Sequence, residues 1–130
     1  MMRRQILTVM IALLMCAGCS STGAWSRYEL CFGLSADSGK TVISDQQWQE
    51  FRDEMITPRF FDGYTVFEAE GHWRNGTETF TEHSKILMVV APDSKDTQNK
   101  LDDIMNAYIQ RFRQDAVLQI KSPAEITFRE

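Results

Sequence analysis

The amino-acid sequence predicts an α+β fold, in which an antiparallel sheet of four strands carries two helices on one face. Extended and helical segments follow the order strand, helix, strand, strand, helix, strand, and both helical segments are apolar along one side. Two such helices bury their apolar sides by packing on the same face of a sheet. The order is that of the ferredoxin-like split βαβ arrangement, so we expect a βαββαβ sandwich.

The first strand and the first helix follow from their apolar spacing. A half-buried strand is predicted from residue 27 onward, because apolar residues alternate with others: Tyr28, Leu30, Phe32 and Leu34. Ser44 and Gln47 form a capping box, which begins a helix. The helix should end at Thr57, because Pro58 disfavours helical geometry in the residue before it. One face of this helix is apolar: Trp48, Phe51, Met55 and Ile56.

The two middle strands are expected over 64–73 and 77–90, joined through Asn75-Gly76. This dipeptide favours a two-residue hairpin turn, because both residues tolerate a positive φ. The second of these strands ends in an unbroken apolar run over 86–90, which is typical of a central strand covered on both faces.

The second helix has the clearest pattern in the chain. Its apolar residues form one continuous stripe: Leu101, Ile104, Met105, Tyr108, Ile109 and Phe112. A last strand follows over 117–121, and its alternation predicts that Leu118 and Ile120 point inward. Pro123 should interrupt that strand.

The first residues have the three parts of a secretory signal: a basic start, an apolar run over 6–17 and small residues before Cys19. The run is too short for a membrane-spanning helix, which needs about twenty residues. Residues 17–19, Ala-Gly-Cys, resemble a lipobox, although Cys16 stands where leucine is usual. We therefore expect cleavage before Cys19 and lipidation of its thiol. The alternative is ordinary signal-peptidase cleavage after Ala24.

Cleavage at Cys19 divides the chain into a signal peptide (1–18), a short tether (19–26) and one α+β domain (27–130). Several acyl chains on one cysteine, palmitate among them, anchor a protein stably to a membrane. The residue after Cys19 is Ser20, which resembles the pattern of Gram-negative lipoproteins that are sorted to the outer membrane. In that pattern, aspartate at this position would retain the protein in the inner membrane. The resemblance implies a lipoprotein of the cell envelope, which in a Gram-negative host sits on the outer membrane and faces the periplasm.

The charge of the exported chain argues against nucleic-acid binding. Loss of Arg3 and Arg4 leaves twelve basic residues against eighteen acidic ones, a net charge of −6. Nucleic-acid binders carry a basic surface that meets the phosphates. With Cys19 lipidated, Cys31 is the one thiol left, so an internal disulfide is not possible. Its apolar neighbours predict that Cys31 is buried.

Several short segments together resemble an uncharacterised bacterial envelope family, catalogued as domain of unknown function 3574. The segments are 28–34 (Tyr-Glu-Leu-Cys-Phe-Gly-Leu), 57–60 (Thr-Pro-Arg-Phe), Asp62-Gly63, Ser84-Lys85 and 108–112 (Tyr-Ile-Gln-Arg-Phe). The resemblance covers about residues 25–128. It implies an exported, often lipid-anchored domain, and it implies no reaction and no catalytic residue.

The predicted hairpin carries a polar cluster. A turn at Asn75-Gly76 pairs Arg74 with Thr77 and so places Glu68 opposite His83. One face of the hairpin is then polar: Glu68, Glu70, His72, Thr79, Thr81 and His83. The other face is apolar: Phe67, Ala69, Trp73, Phe80, Ile86 and Met88. This apolar face should meet the helices, so the polar face should be left open to solvent.

Chemical interpretations of this cluster are weak. Imidazole and carboxylate groups bind zinc, but His72 and His83 lie four pairs apart, a separation of more than about 10 Å. We therefore predict no metal, no cofactor and no catalytic residue, and we interpret Glu68 and His83 as a surface ion pair. Ser84 and Lys85 could suggest a nucleophile pair, yet adjacent strand residues point to opposite faces.

Two hypotheses for function remain. The first is a non-catalytic envelope protein whose open sheet face binds a partner, either a second copy of the chain or another envelope protein. The second is a small enzyme or ligand-binding protein that uses the cleft between sheet and helices, and it rests on analogy between folds alone. A flat open face would favour the first, and an enclosed pocket that holds His72 or His83 with a buried carboxylate would favour the second.

Overall fold

The computed structural model describes residues 23–37 and 39–130 of the 130-residue chain. The predicted signal peptide and the predicted lipidation site, Cys19, lie outside the described residues. The strands and helices, in chain order, are β1 (Trp25–Gly33), β2 (Ser35–Ala36), β3 (Thr41–Val42), α1 (Asp45–Phe51), β4 (Thr65–Asn75), β5 (Glu78–Pro92), α2 (Lys95–Phe112) and β6 (Leu118–Ala124).

The main sheet has the strand order β4-β5-β1-β6, and every neighbouring pair is antiparallel. The short strands β2 and β3 pair with each other in the connection between β1 and α1. The sequence therefore predicted the fold class correctly. The order of the six principal elements matches the ferredoxin-like arrangement, and the β2–β3 hairpin is an addition to it.

The core lies between one face of the sheet and the two helices. On β1 the alternate residues Tyr28, Leu30 and Phe32 are almost completely buried, and their neighbours on β5, Leu87 and Val89, are buried with them. We call this the helix-side face of the sheet and the other the open face. The strand β1 begins at Trp25, so it includes the last two residues of the expected tether.

The first helix begins at the predicted capping box, where Ser44 accepts a hydrogen bond from the backbone of Gln47 and the Gln47 side chain accepts one from the Ser44 backbone. It continues as a π-helical turn over Arg52–Ile56 and ends at Thr57, as Pro58 predicts. The wider turn, with bonds to the fifth residue, lets Phe51 and Ile56 both face the core.

Aromatic rings fill the centre of the core. Phe32 of β1 lies 4.6 Å from Tyr108 of α2, centroid to centroid, and Phe51 of α1 lies 5.0 Å from Tyr108. The Tyr108 hydroxyl donates a 2.7 Å hydrogen bond to the carbonyl of Gly33, which satisfies a polar group in this apolar setting. Burial raises the pKa of Tyr108 far above its usual range.

The second helix confirms the predicted stripe, because Leu101, Ile104, Tyr108 and Phe112 are buried. Three expectations for the strands are wrong. Pro123 does not interrupt the last strand, because β6 continues through it to Ala124. Leu118 and Ile120 of β6 lie on the open face, since they pair with Cys31 and Glu29, whereas Gln119 lies on the helix side. Although β5 is central in the sheet, only its alternate residues, such as Leu87 and Val89, are fully covered, because no described element covers the open face.

Candidate interaction surface

The hairpin turn lies one residue later than the sequence predicts. Asn75 pairs with Glu78, so the two turn residues are Gly76 and Thr77. Gly76 is the first of the two turn residues and has a positive φ of 61°. Two-residue hairpin turns require a positive φ at this position, which glycine adopts readily. The change moves β5 by two residues against β4. The same residues therefore share a face as predicted, but each has a different neighbour on the other strand.

The polar residues do share one face, but it is the helix-side face, so the predicted orientation of the hairpin is wrong. The residues Glu68, Glu70 and His72 pair with Lys85, His83 and Thr81. Lys85 lies on the same face of β5 as the buried Leu87 and Val89. Polar side chains are tolerated there because all of them except Lys85 remain exposed to solvent.

The predicted pair of Glu68 with His83 is replaced by two other relationships. Glu68 accepts a 2.7 Å hydrogen bond from Lys85. Glu70 lies opposite His83 and contacts His72, whose Nε2 is 2.9 Å from the Glu70 carboxylate. The other ring nitrogen of His72, Nδ1, lies 3.0 Å from the Thr81 hydroxyl.

This chain of carboxylate, imidazole and hydroxyl has the order of groups that activates a nucleophile. His72 and Glu70 are nevertheless more than half exposed, at 60% and 55% of their side chains, on a two-stranded hairpin. A reaction of this kind needs a site that excludes water and stabilises developing charge. The described residues around Thr81 supply neither, so the arrangement is a surface network.

Lys85 also lies on this helix-side polar face, although the sequence analysis did not include it in the polar cluster. Only 8% of it is exposed, and its Nζ lies 2.7 Å from Glu68 and 3.6 Å from Asp45. The hydrogen bond to Glu68 raises the pKa of Lys85, and the same bond lowers the pKa of Glu68. Ser84 lies on the opposite face, as the alternation predicts, so it does not form a nucleophile pair with Lys85.

A cleft of about 600 Å³ lies beside Lys85, between the β4–β5 hairpin and the segment that leads from β1 to α1. Its acidic and basic lining residues are Asp45, Glu68, Glu82, His83 and Lys85. The Asp45 and Glu68 side chains are both 84% exposed, so the cleft holds no buried carboxylate from either of them. Within the described residues, no group of three or more histidine, cysteine, aspartate or glutamate side chains is placed to hold a metal ion.

The open face carries most of the large apolar side chains that are exposed in the described chain. Nine large apolar side chains are exposed in the described residues, and six of them lie on this face, between 38% and 59% exposed. These six are Trp25, Phe67, Trp73, Val90, Leu118 and Ile120. Between them lie the half-buried Ile86 and Met88 of β5. Large exposed apolar patches are typical of interaction sites in proteins.

The β4–β5 hairpin carries the open face beyond the body of the domain. β1 ends at Gly33, opposite Ser84, whereas the hairpin continues to Asn75 and Glu78. We call this extension, residues 71–82, the arm. On its open-face side Trp73 and Phe80 stack, with ring centroids 4.6 Å apart and an angle of 19° between the planes.

Two charged residues and one thiol lie on the open face within β1. Arg27 and Glu29 form an ion pair with each other. Cys31 lies beside them, between Ile86 on β5 and Leu118 on β6, and it is half-buried rather than buried as its neighbours in sequence predict. Burial raises the pKa of the Cys31 thiol.

The fold and this surface define a small α+β domain of ferredoxin-like topology, whose sheet has one face left open by the described residues. The chain belongs to the family described as "Protein of unknown function (DUF3574)", whose model matches residues 27–128. This match confirms the resemblance seen in the sequence. No curated protein sequence matches the chain. Within the described residues, no helix combines the length and hydropathy needed to cross a membrane.

Solved structures of other proteins share the fold. A phage SAM lyase in complex with S-methyl-5'-thioadenosine is 15% identical, with a TM-score of 0.60, and the match covers 78% of this chain and 81% of that one. A phage SAM lyase in its apo state has a TM-score of 0.56 at 16% identity, and the match covers 78% of this chain and 81% of that one. CutA1 from Oryza sativa has a TM-score of 0.52 at 11% identity over 84% of this chain and 87% of that one. These likenesses concern the fold alone.

Proposed function

We propose that this protein is an exported, lipid-anchored binding module of the cell envelope, and that it acts through the open face of its sheet without catalysing a reaction. The observation that carries the proposal is the concentration of exposed apolar side chains on that face. Apolar surface without a cover lowers solubility, and natural sheets normally place polar residues on their solvent side. A sheet face with Phe67, Leu118 and Ile120 exposed is best explained by a macromolecule that covers it.

Export and anchoring rest on the N-terminal sequence. Residues 17–19, Ala-Gly-Cys, follow an apolar run and a basic start. The described domain begins its first strand at Trp25, so only five residues separate that strand from Cys19. Five extended residues span less than about 20 Å. A domain lipidated at Cys19 therefore works close to the membrane surface, which for a Gram-negative host is the periplasmic side of the outer membrane.

Mass spectrometry of the N-terminal peptide tests the anchor. We expect a peptide that begins at Cys19 and carries acyl chains, and we expect Cys19→Ala to leave the protein uncleaved or unlipidated. A mature, unmodified peptide that starts at Trp25 would contradict the lipid anchor and support ordinary cleavage after Ala24.

Photo-crosslinking from the open face tests the binding surface. A photo-reactive amino acid replaces Leu118 in the full chain, expressed with its own signal, and the same probe at Phe61 is the matched control. Both side chains are exposed and apolar, but Phe61 is not part of the main sheet. We expect a specific protein adduct from position 118 and none from position 61. Equal labelling from both positions, or none from position 118, would contradict binding through the open face.

The cleft beside Lys85 supports a second candidate, the binding of a small cationic ligand. Three carboxylates line it, from Asp45, Glu68 and Glu82, against the two basic groups of His83 and Lys85. The phage enzyme that shares the fold is called a SAM lyase, and SAM is a sulfonium cation, which suggests S-adenosylmethionine as a probe. Calorimetric titration with S-adenosylmethionine, repeated with Glu68→Gln, decides it. The absence of measurable heat at millimolar ligand would exclude this class of ligand.

A further inference from the structure

We propose that the open face is covered by a second copy of this chain, in a twofold dimer whose two sheets pack face to face and whose arms lie across one another's sheets. This proposal rests on the proposed function, because it names the macromolecule that the open face binds. Its support comes from the charge of the face, from its size and from the shape of the arm.

The charge of the face suits a copy of itself. Where β1 takes part in the sheet, the charged residues of the open face are Arg27 and Glu29, which neutralise each other. Two copies of this region therefore meet without net repulsion, while Glu78 and Glu82 add acidic charge on the open-face side of each arm. The remainder of the chain is acidic, since residues 5–130 hold twelve basic and eighteen acidic side chains. That acidity opposes contact with an anionic lipid surface, which attracts basic segments instead. The repulsion between the acidic outer surfaces of two copies is screened by salt beyond about 10 Å.

The size of the face suits a stable dimer. Four strands about 4.8 Å apart, with the arm added and about 3.4 Å of rise per residue, give a face on the order of 700 Å². A specific interface of standard size buries about 800 Å² on each partner. The estimate lies within the range of about 600–1,000 Å² per partner that interfaces of standard size bury.

The proposed dimer explains why the arm extends beyond the body of the domain. Two strands alone are marginally stable in water, and stacking of Trp73 on Phe80 leaves both rings on an arm that the body of the domain does not support. β5 runs the full length of the face, and Ile86 lies close to its midpoint. A twofold axis that passes beside Ile86, across the strands, places each arm over the Val90 end of the other copy's β5. Both exposed ends of the face are then covered at once, in the isologous manner of a twofold dimer.

This arrangement makes a definite prediction about Cys31. Cys31 is the direct neighbour of Ile86 across β1 and β5, so it lies on the same line across the strands as the proposed axis. Each Cys31 then faces the partner's Cys31 across the interface. Packed sheets lie about 10 Å apart, whereas a disulfide needs its two Cα atoms within about 7 Å. The two thiols should therefore be linked by a short bifunctional reagent rather than by direct oxidation.

The experiment treats membranes that contain the full chain with a short bis-maleimide, and identifies linked peptides by mass spectrometry. We expect a linked pair of Cys31 peptides and, for protein extracted in detergent, the mass of two chains in native mass spectrometry. Leu118→Glu and Phe67→Glu should each reduce the linked pair at least tenfold, because they place carboxylates at the centre of the interface. Phe61→Glu is the matched control and should leave it unchanged. All three side chains are exposed, so the variants should fold, which circular dichroism verifies.

The possible results separate this proposal from the one on which it rests. A single-chain mass together with singly labelled Cys31 would overturn the dimer. A photo-adduct from position 118 with a different protein would preserve binding through the open face and still overturn the dimer. An adduct of two copies from position 118, lost in Phe67→Glu but kept in Phe61→Glu, would support both proposals.

Discussion

The ammonium group of Lys85 lies 2.7 Å from the carboxylate of Glu68, on the helix-side face of the sheet and at the root of the arm. Lys85 is buried on β5, whereas Glu68 on β4 is largely exposed, so the strand-to-strand contact ties a buried charge to a solvated one. Asp45, the first residue of α1, lies 3.6 Å from the same ammonium group. Lys85 thereby joins the sheet to the start of the first helix.

The raised pKa of Lys85 predicts an alkaline loss of stability. A group whose folded pKa exceeds its usual value of 10.5 stabilises the fold below that value and loses the contribution as pH rises through the raised value. We expect the free energy of unfolding of the wild type to fall above pH 10.5. The decrease should be smaller in Lys85→Met, which lacks the titrating group. Urea melts at pH 8, 9.5 and 11 measure it. Lys100→Met, which removes an exposed lysine paired with Asp96, is the control. Equal alkaline losses in Lys85→Met and the wild type would contradict this role.

Asp93 predicts the corresponding loss in acid. Its hydrogen bond from Lys121, at 2.6 Å, holds the pKa of the Asp93 carboxyl below its usual 3.8. The stabilisation is present above that usual value and is lost as pH falls through the lowered one. In thermal melts between pH 7 and pH 2, Asp93→Asn should lower the melting temperature at pH 7 and approach the wild type in acid. Asp115→Asn, at an exposed position, should follow the wild-type curve throughout. A constant offset for Asp93→Asn would mean that its charge is not the cause.

Ile104 tests the packing of α2 on the sheet. Its side chain is fully buried in the core. Truncation by Ile104→Ala should reduce the free energy of unfolding by about 2–5 kcal/mol, because it removes buried methyl groups and leaves a cavity. Denaturant melts measure the change. Asn106→Ala, on the exposed side of the same helix, should change it by less than about 0.5 kcal/mol. Similar values for the two variants would contradict the packing of the helix.

The hydroxyl of Tyr108 tests the polar contact within the aromatic core. Tyr108→Phe keeps the ring but removes the donor to the carbonyl of Gly33. We expect a loss of about 1 kcal/mol in the free energy of unfolding, because a buried acceptor is left without its partner. Tyr64→Phe removes the exposed contact with Thr57 and is the control, with a smaller expected loss. If Tyr108→Phe were more stable than the wild type, the hydroxyl would not contribute to the stability of the fold.

Local sequence determined the four principal strands, the two helices, their order and the fold class. The capping box at Ser44 begins α1, Pro58 limits it, and the stripe from Leu101 to Phe112 becomes the buried side of α2. These features depend on contacts between residues a few positions apart, which a single sequence displays directly. The family could also be recognised from short segments, and the model match confirms it.

The direction in which each strand faces was decided only by the tertiary structure. Alternation shows that Phe67 and Trp73 share a face, and that Glu68 and His72 share the other, but both faces of an isolated hairpin are equivalent until a helix covers one of them. The usual expectation that the apolar face meets the helices fails here, because Lys85, Leu87 and Val89 continue the polar face into the core. The apolar face was left open, and with it Leu118 and Ile120. Covering that face requires surface from outside the described chain, and one chain's sequence alone does not reveal such a contact.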